Sequence, residues 1–324
     1  MQGPTPPCVS LSRQEFSLRA PSTARTLAMS SFLRWTVRLF AGLLLLFLLA
    51  AVSLYAASAY RLHQTYDVSV QNVPIPTDSA AIARGRHIAV TRGCGDCHGP
   101  RLGGSTAVSD PMIGSLHAPN LTPGGVGGTY SDADWIRAIR HGIAPNGSPL
   151  VFMPSFEYYY LSDEDLGALI AYLKQLPPIE KNMVAPKLGP MGRAMVVAGR
   201  GNFRLSAARI DHDAPRPTAP PRGPTAAYGE YLAYSCVGCH GSELTGGPIS
   251  GAPPSWPPAA NITPHADGIG AWTKADFFRA MRKQQRPDGS RIDPVMPADM
   301  GKLTDQELTA LWKYLQTVTP RRSE

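Results

Sequence analysis

Residues 92–104 read RGCGDCHGPRLGG, and residues 235–247 read SCVGCHGSELTGG. Each holds Cys-x-x-Cys-His followed by a glycine, a leucine and a closing glycine pair. The recurrence extends well beyond these stretches. At a shift of 142 residues, Cys94, Cys97 and His98 fall on Cys236, Cys239 and His240, Tyr130 falls on Trp272, and Arg137 and Arg140 fall on Arg279 and Arg282. Tyr172-Leu173 likewise meets Tyr314-Leu315. Asn120-Leu-Thr-Pro matches Asn261-Ile-Thr-Pro at a shift of 141, and Met153-Pro matches Met296-Pro at 143, single-residue differences of the kind loops absorb. Self-similarity on this scale means two copies of one domain.

Both copies carry the same helical signals. A short helix bearing Gly85 or Gly229 leads into the Cys motif. Ser131-x-x-Asp134 and Thr273-x-x-Asp276 are capping boxes that start a second helix. Ser162-x-x-Asp165 and Thr304-x-x-Glu307 start a third. There Leu166, Leu169, Ile170 and Leu173, and Leu308, Leu311, Trp312 and Leu315, recur at the i, i+3, i+4, i+7 spacing of a buried helix face. Pro177 and Pro320 end these helices. No stretch alternates strictly enough for a strand, so the expected fold is all-α. Gly85 with Tyr172, and Gly229 with Tyr314, mark where first and last helices should cross.

Residues 39–60, LFAGLLLLFLLAAVSLYAASAY, lack charge over a helical length of about 33 Å, enough to cross a hydrocarbon layer of ~30 Å. Arg34 and Arg38 precede the segment, which predicts a cytoplasmic N-terminus and residues 61–324 on the far side. The rival is a signal peptide cleaved near Ala57-Ser58-Ala59, but such signals have apolar cores of about 7–15 residues. Residues 1–28 read as structureless and not necessarily native, since Met29 makes a more usual start. Of the net charge of +7, five arginines against Glu15 supply +4 before residue 39, and the remainder is no nucleic-acid footprint. The expected order is a cytoplasmic tail 1–38, a transmembrane anchor 39–60, a linker 61–80, domain one 81–178, an extra helix with a proline-rich linker 179–224, and domain two 225–320.

Two thiols at this spacing can add to the two vinyl groups of a haem, and the adjacent imidazole can then bind the iron. Zinc ribbons bring their second Cys pair within about 20 residues, whereas 138 residues separate Cys97 from Cys236. Neither motif sits in the βαβ context of a thioredoxin-like redox pair. Two covalently bound haem c groups are therefore expected, on Cys94, Cys97 and His98 and on Cys236, Cys239 and His240. A sixth iron ligand should recur in both copies, and Met153 and Met296 stand 55 and 56 residues after the two histidines, each before a proline. Met300 is the competitor in the second copy. His117 and His141 occur in one copy and read as surface histidines. Arg140 and Arg282 read either as propionate partners or as a solvated face, and the two Asn-x-Thr triplets as shapers of a loop at the haem edge.

The order helix, Cys-x-x-Cys-His, loop, Met-Pro, final helix resembles class I cytochrome c domains over residues 81–178 and 225–318. The anchored tandem is similar to membrane-bound dihaem cytochromes c of bacteria, including cytochrome subunits of periplasmic dehydrogenases. That resemblance implies two haems with His98/Met153 and His240/Met296 ligation and says nothing of the anchor's fate; the uncharged segment 39–60 gives the expected single pass through a bacterial inner membrane, with the haem domains in the periplasm. The resemblance also implies a dehydrogenase subunit and a respiratory-chain acceptor as partners. The expected role is electron transfer rather than catalysis. The alternative is a dihaem enzyme, a peroxidase needing an open iron or a thiosulfate dehydrogenase needing a cysteine ligand, for which Cys8 is the only spare thiol.

Overall fold

The computed structural model describes Gly3, Ala252 and residues 31–199, 203–249 and 255–323. The expected tail before Ser31, including the alternative start at Met29, lies outside the described residues apart from Gly3. Helix α1 runs Ser31–His63, longer at both ends than the uncharged segment itself. It is the one described helix long and apolar enough to cross a membrane. Contacts divide the chain between Ala50 and Ala51 into two compact units. In the first, the side chains from Leu43 to Leu49 are exposed along the helix.

The second unit opens with the end of α1, which is tied to the protein. Ser58 is fully buried and its hydroxyl accepts from Arg193, while Arg61 donates to the Val196 carbonyl. Two helix pairs follow, each built around a glycine. Helix α2 (Ser79–Thr91) crosses α6 (Asp163–Lys174) at Gly85, where a Cβ would stand 1.9 Å from the Ala168 carbonyl oxygen. Helix α8 (Ala226–Ala233) crosses α11 (Asp305–Leu315) at Gly229, where a Cβ would stand 2.0 Å from the Ala310 oxygen. The backbones touch because neither glycine has a side chain, as the paired Gly and Tyr positions anticipate. Leu166, Leu169, Ile170 and Leu173 bury into one core, and Leu308, Leu311 and Leu315 into another. Each such side chain contributes roughly 1.5–3 kcal/mol on burial.

Between α2 and α6 lie α3 (Cys94–His98), α4 (Asp132–Ile136), which continues as a π-helical turn over Arg137–His141, and α5 (Ser155–Tyr158). Helix α7 (Pro190–Ala198) follows the first core. Between α8 and α11 lie α9 (Val237–His240) and α10 (Lys274–Lys283). Ser131, Thr273 and Thr304 form the expected capping boxes. Ser162 caps its helix alone, because Asp165 turns its carboxylate to Arg84 and Tyr231 instead.

The expectation of an all-α fold needs correction, since the second unit also contains a small antiparallel sheet. Strand β1 (Ser105–Asp110) pairs with β2 (Gly114–Ala118), which pairs with β3 (Lys187–Leu188). Asp110 closes the hairpin by accepting the amides of Met112 and Ile113 on one carboxylate oxygen. A register shift between Thr106 and Val108 breaks the two-residue period that would have revealed β1. Residues 179–224 supply more than a helix and a linker. They contribute β3, and Val196 and Phe203 pack on Leu116 of the hairpin in a third small core. Val73, from the stretch read as a linker, is buried in the first large core.

Candidate haem-attachment sites

In both copies the helix before the motif ends abruptly, and the Cys-x-x-Cys-His segment forms a single further turn. Gly99 and Gly241, at φ +80° and +79°, then turn the chain back in the left-handed region that a side chain would disfavour. The loop returns a carbonyl to each histidine. His98 Nδ1 lies 2.8 Å from the Pro119 oxygen, and His240 Nδ1 lies 2.7 Å from the Ala260 oxygen. Nδ1 must therefore carry the proton and donate, which leaves the lone pair on Nε2 for a metal. Burial lowers both imidazole pKa values further, outweighing the carbonyl hydrogen bond, and keeps the rings neutral.

The loops that present these carbonyls are held by the two Asn-x-Thr triplets. Asn120 Oδ1 accepts from the Thr122 amide and hydroxyl, and its Nδ2 donates to the Ile179 carbonyl at 2.7 Å. Asn261 repeats the pattern with Thr263 and the Arg321 carbonyl. Both asparagines are buried, so the triplets shape the loops as expected.

Cys94, Cys97 and His98 open onto a cavity of about 310 Å³ that Met153 and Trp135 also line. Its wall is mostly apolar. Trp135 is buried to 2% exposure, yet its indole N–H has no hydrogen-bond partner. An acidic group on a bound ligand would satisfy it, and a haem carries two propionates. The apolar wall, the two adjacent thiols, the free Nε2 and the unpartnered indole together fit a haem. In the second copy, Cys236 and Met296 are partly buried against the core that contains Met300. Burial pushes the Cys94 and Cys236 thiols up to about 12 and about 11, so both are protonated thiols at neutral pH.

Other expectations change. His141 is buried, with its Nδ1 3.0 Å from His212 Nδ1, instead of lying at the surface. Arg140 reaches neither solvent nor the cavity. It pairs with Asp163 at 2.8 Å and donates to the Leu161 carbonyl, tying the second helix of the repeat to the start of the third. Arg282 makes the same tie through Asp305 and the Gly301 carbonyl but is exposed, in keeping with the solvated-face reading.

The residues missed from sequence lie between the copies. Arg84 donates to Asp165, to Glu307 and to the Tyr228 hydroxyl, while His87 meets Glu307 at 2.8 Å and Tyr231 donates to Asp165. Arg92 caps α2 and donates to the Leu232 carbonyl of α8. On α5, Glu157 lays its carboxylate against Gly238 of the second motif, where a Cβ would stand 1.9 Å from its Oε1. The charge of Arg92 acts on Cys94 and Cys236, and that of Glu157 on Cys97, Cys236 and Cys239. The two attachment motifs thus face one another. Nothing in the local sequence around Arg84, Arg92 or Glu157 marks them, because the groups they bind or abut, Asp165, Tyr228 and Glu307, Leu232, and Gly238, lie far along the chain.

Residues 80–173 match the family model described as cytochrome c oxidase, cbb3-type, subunit III, and residues 226–319 match the model described as cytochrome c. The gluconate 2-dehydrogenase cytochrome c subunit of Pantoea cypripedii is 30% identical over 74% of this chain and 60% of its own length. The fructose dehydrogenase cytochrome subunit of Gluconobacter japonicus is 29% identical over 78% of this chain and 55% of its own. The cytochrome c subunit of the quinone alcohol dehydrogenase of Gluconacetobacter polyoxogenes is 28% identical over 84% and 60%. The chain therefore spans a little over half the length of these relatives. With a cytochrome model over each repeat and a motif in each that fits covalent attachment, the chain belongs to the cytochrome c family as a dihaem member carrying two covalently bound haem c groups.

Proposed function

We propose that the chain relays electrons from the catalytic subunit of a dehydrogenase to a respiratory-chain acceptor, on the periplasmic face of the bacterial inner membrane. The observation that carries this reading is the meeting of the two attachment motifs, with Arg92 and Glu157 each acting on cysteines of both. When bound, each haem supplies a one-electron Fe(III)/Fe(II) couple. The chain's own residues would hold it: His98 and His240 would offer Nε2 to the iron, Met153 and Met296 would each offer a thioether, and the apolar wall of the first cavity would exclude water. Such thioether ligation would raise the potential and favour electron transfer over binding of external ligands. The names of the relatives, cytochrome subunits of gluconate, fructose and alcohol dehydrogenases, favour a dehydrogenase partner.

Retention of α1 as an anchor is favoured by its far end. Cleavage near Ala57-Ser58-Ala59 would cut a helix whose Ser58 and Arg61 side chains hold α7.

The test is to replace Met153 or Met296 by Ala in the full membrane-extracted chain. Each variant should keep two haems through denaturation, gain carbon monoxide binding at one of them and show a lower potential there. The wild type should bind carbon monoxide poorly, and a catalytic subunit should copurify with it. A wild-type haem that is high-spin and binds carbon monoxide readily would overturn the relay reading.

A further inference from the structure

The Glu157 carboxylate stands against Gly238 of the second motif, and its charge also acts on Cys97 of the first. Its helix begins after Met153-Pro154, and the Glu157 amide is held by the Pro154 carbonyl at 2.9 Å. The carboxylate is therefore delivered to the second motif by the loop that also carries Met153. Gly238 is the residue that makes room. In the first motif the equivalent position is Asp96, which instead feels Asp299 and Lys302 of the second copy. The second copy thus returns its own post-Met-Pro turn, Ala298–Lys302, toward the first motif, in an approximate two-fold exchange.

The groups facing Glu157 are few. Arg92 reaches it from the end of α2, Arg209 from the turn that follows Ser206–Ala208, and Cys97, Cys236 and Cys239 from the two motif turns. Tyr158, its neighbour on α5, is held well above the usual phenol range by burial and stays neutral. The cysteines lose their titration once they are thioethers. That leaves one carboxylate, two guanidiniums and the two haems. Burial overcomes both arginines and pushes the Glu157 carboxyl up to about 7. Glu157 is half-buried, so water can reach it.

We propose that Glu157 is a redox-linked proton acceptor shared by the two haems, binding a proton from water when an electron arrives on the adjacent haem and releasing it when the electron leaves. The proposal rests on the haem-pair reading above. The balance is simple: one electron from the donor takes Fe(III) to Fe(II), one proton from water joins a Glu157 carboxylate oxygen, and no other bond changes. An added electron lowers the local potential and stabilises the protonated carboxyl, so reduction is favoured at lower pH within the window between the carboxyl's two pKa values. Outside that window the potential is flat.

The experiment is a spectroelectrochemical titration of both haems in the detergent-solubilised full chain, from pH 5 to 9, for wild type and Glu157→Gln. In the wild type the reduction equilibrium constant of at least one haem should fall at least twofold per pH unit near neutrality. Full coupling would give tenfold, equivalent to 59 mV for one electron. Glu157→Gln should flatten that slope while keeping two attached haems. Redox-difference infrared spectra of the wild type should show a protonated carboxyl carbonyl band on reduction, absent from the variant. Two attached, reducible haems whose pH dependence is the same in both proteins, or a wild type with no such band, would overturn this proposal alone. A chain with fewer than two attached haems would overturn it together with the reading beneath it.

Discussion

Gly85 and Gly229 carry the packing of their domains on a missing atom. At each, the partner helix brings a backbone carbonyl to about 2 Å from where a Cβ would be, and a Tyr Cβ, of Tyr172 or Tyr314, to 2.8 Å. A flexible side chain could yield there, but a helix backbone cannot without separating α2 from α6 or α8 from α11. Gly85→Ala is expected to cost about 3 kcal/mol, the upper range for overpacking, and Gly229→Ala a similar amount. Thermal unfolding of the haem-loaded chain reads this directly. Tyr172→Ala should not rescue Gly85→Ala, because alanine keeps the crowding Cβ and the carbonyl of Ala168 remains in the way.

At the scale of the element, the two repeats end their second helix in the same left-handed conformation with different residues. Gly142 takes φ +68° at no steric penalty, while Gln284, at the matching position, takes φ +51° with a side chain. Its Oε1 is buried without a hydrogen-bond partner, and its Nε2 reaches the Met281 carbonyl only at 3.4 Å. Left-handed conformation costs a non-glycine residue roughly 1–2 kcal/mol, and glycine returns part of that through a freer unfolded chain. Gln284→Gly should stabilise the protein by about 1 kcal/mol, seen as a higher denaturant midpoint at unchanged slope. The reciprocal change, Gly142→Gln, should destabilise by at least as much, since a Cβ there would meet Ser206 at 2.8 Å.

At the scale of the whole molecule, ion pairs join the two repeats. Glu307 caps α11 through Thr304 and also holds His87 and Arg84 of the first copy. Burial would raise its carboxyl, but the hydrogen bonds from His87 and Thr304 outweigh burial and hold it at about 2, against 4.5 for the free side chain. A depressed folded-state value contributes stability that is complete above the unfolded value and lost as pH falls from about 4.5 toward 2. The difference amounts to about 3 kcal/mol. Acid unfolding followed at constant temperature should therefore steepen between pH 4.5 and 2 in the wild type, and Glu307→Gln should remove that part of the slope. Equal acid slopes in the two proteins would show that the link between repeats does not depend on this carboxylate.

The sequence alone determined the repeat, the two attachment motifs, the caps and the helix crossings, because each is written in residues close together or at a fixed period. Capping boxes need neighbours three positions apart, and a buried helix face shows as i, i+3, i+4 spacing. The repeat sets Arg140 on Arg282 at a shift of 142 and Asn120 on Asn261 at 141, so equivalent positions are legible in pairs. Tertiary structure decided the rest. The β1–β2 hairpin escaped because a bulge breaks its period and the third strand comes from residue 187. Asp165 looks like a cap in sequence and becomes an interface residue because the Tyr231 hydroxyl of the second copy, 66 positions on, comes within 2.7 Å. His141 left the surface because residue 212 folds back onto it. Glu157 sits in an ordinary surface-like turn until Gly238 is brought against it, and a charge takes its meaning from what surrounds it in space, which no local pattern records.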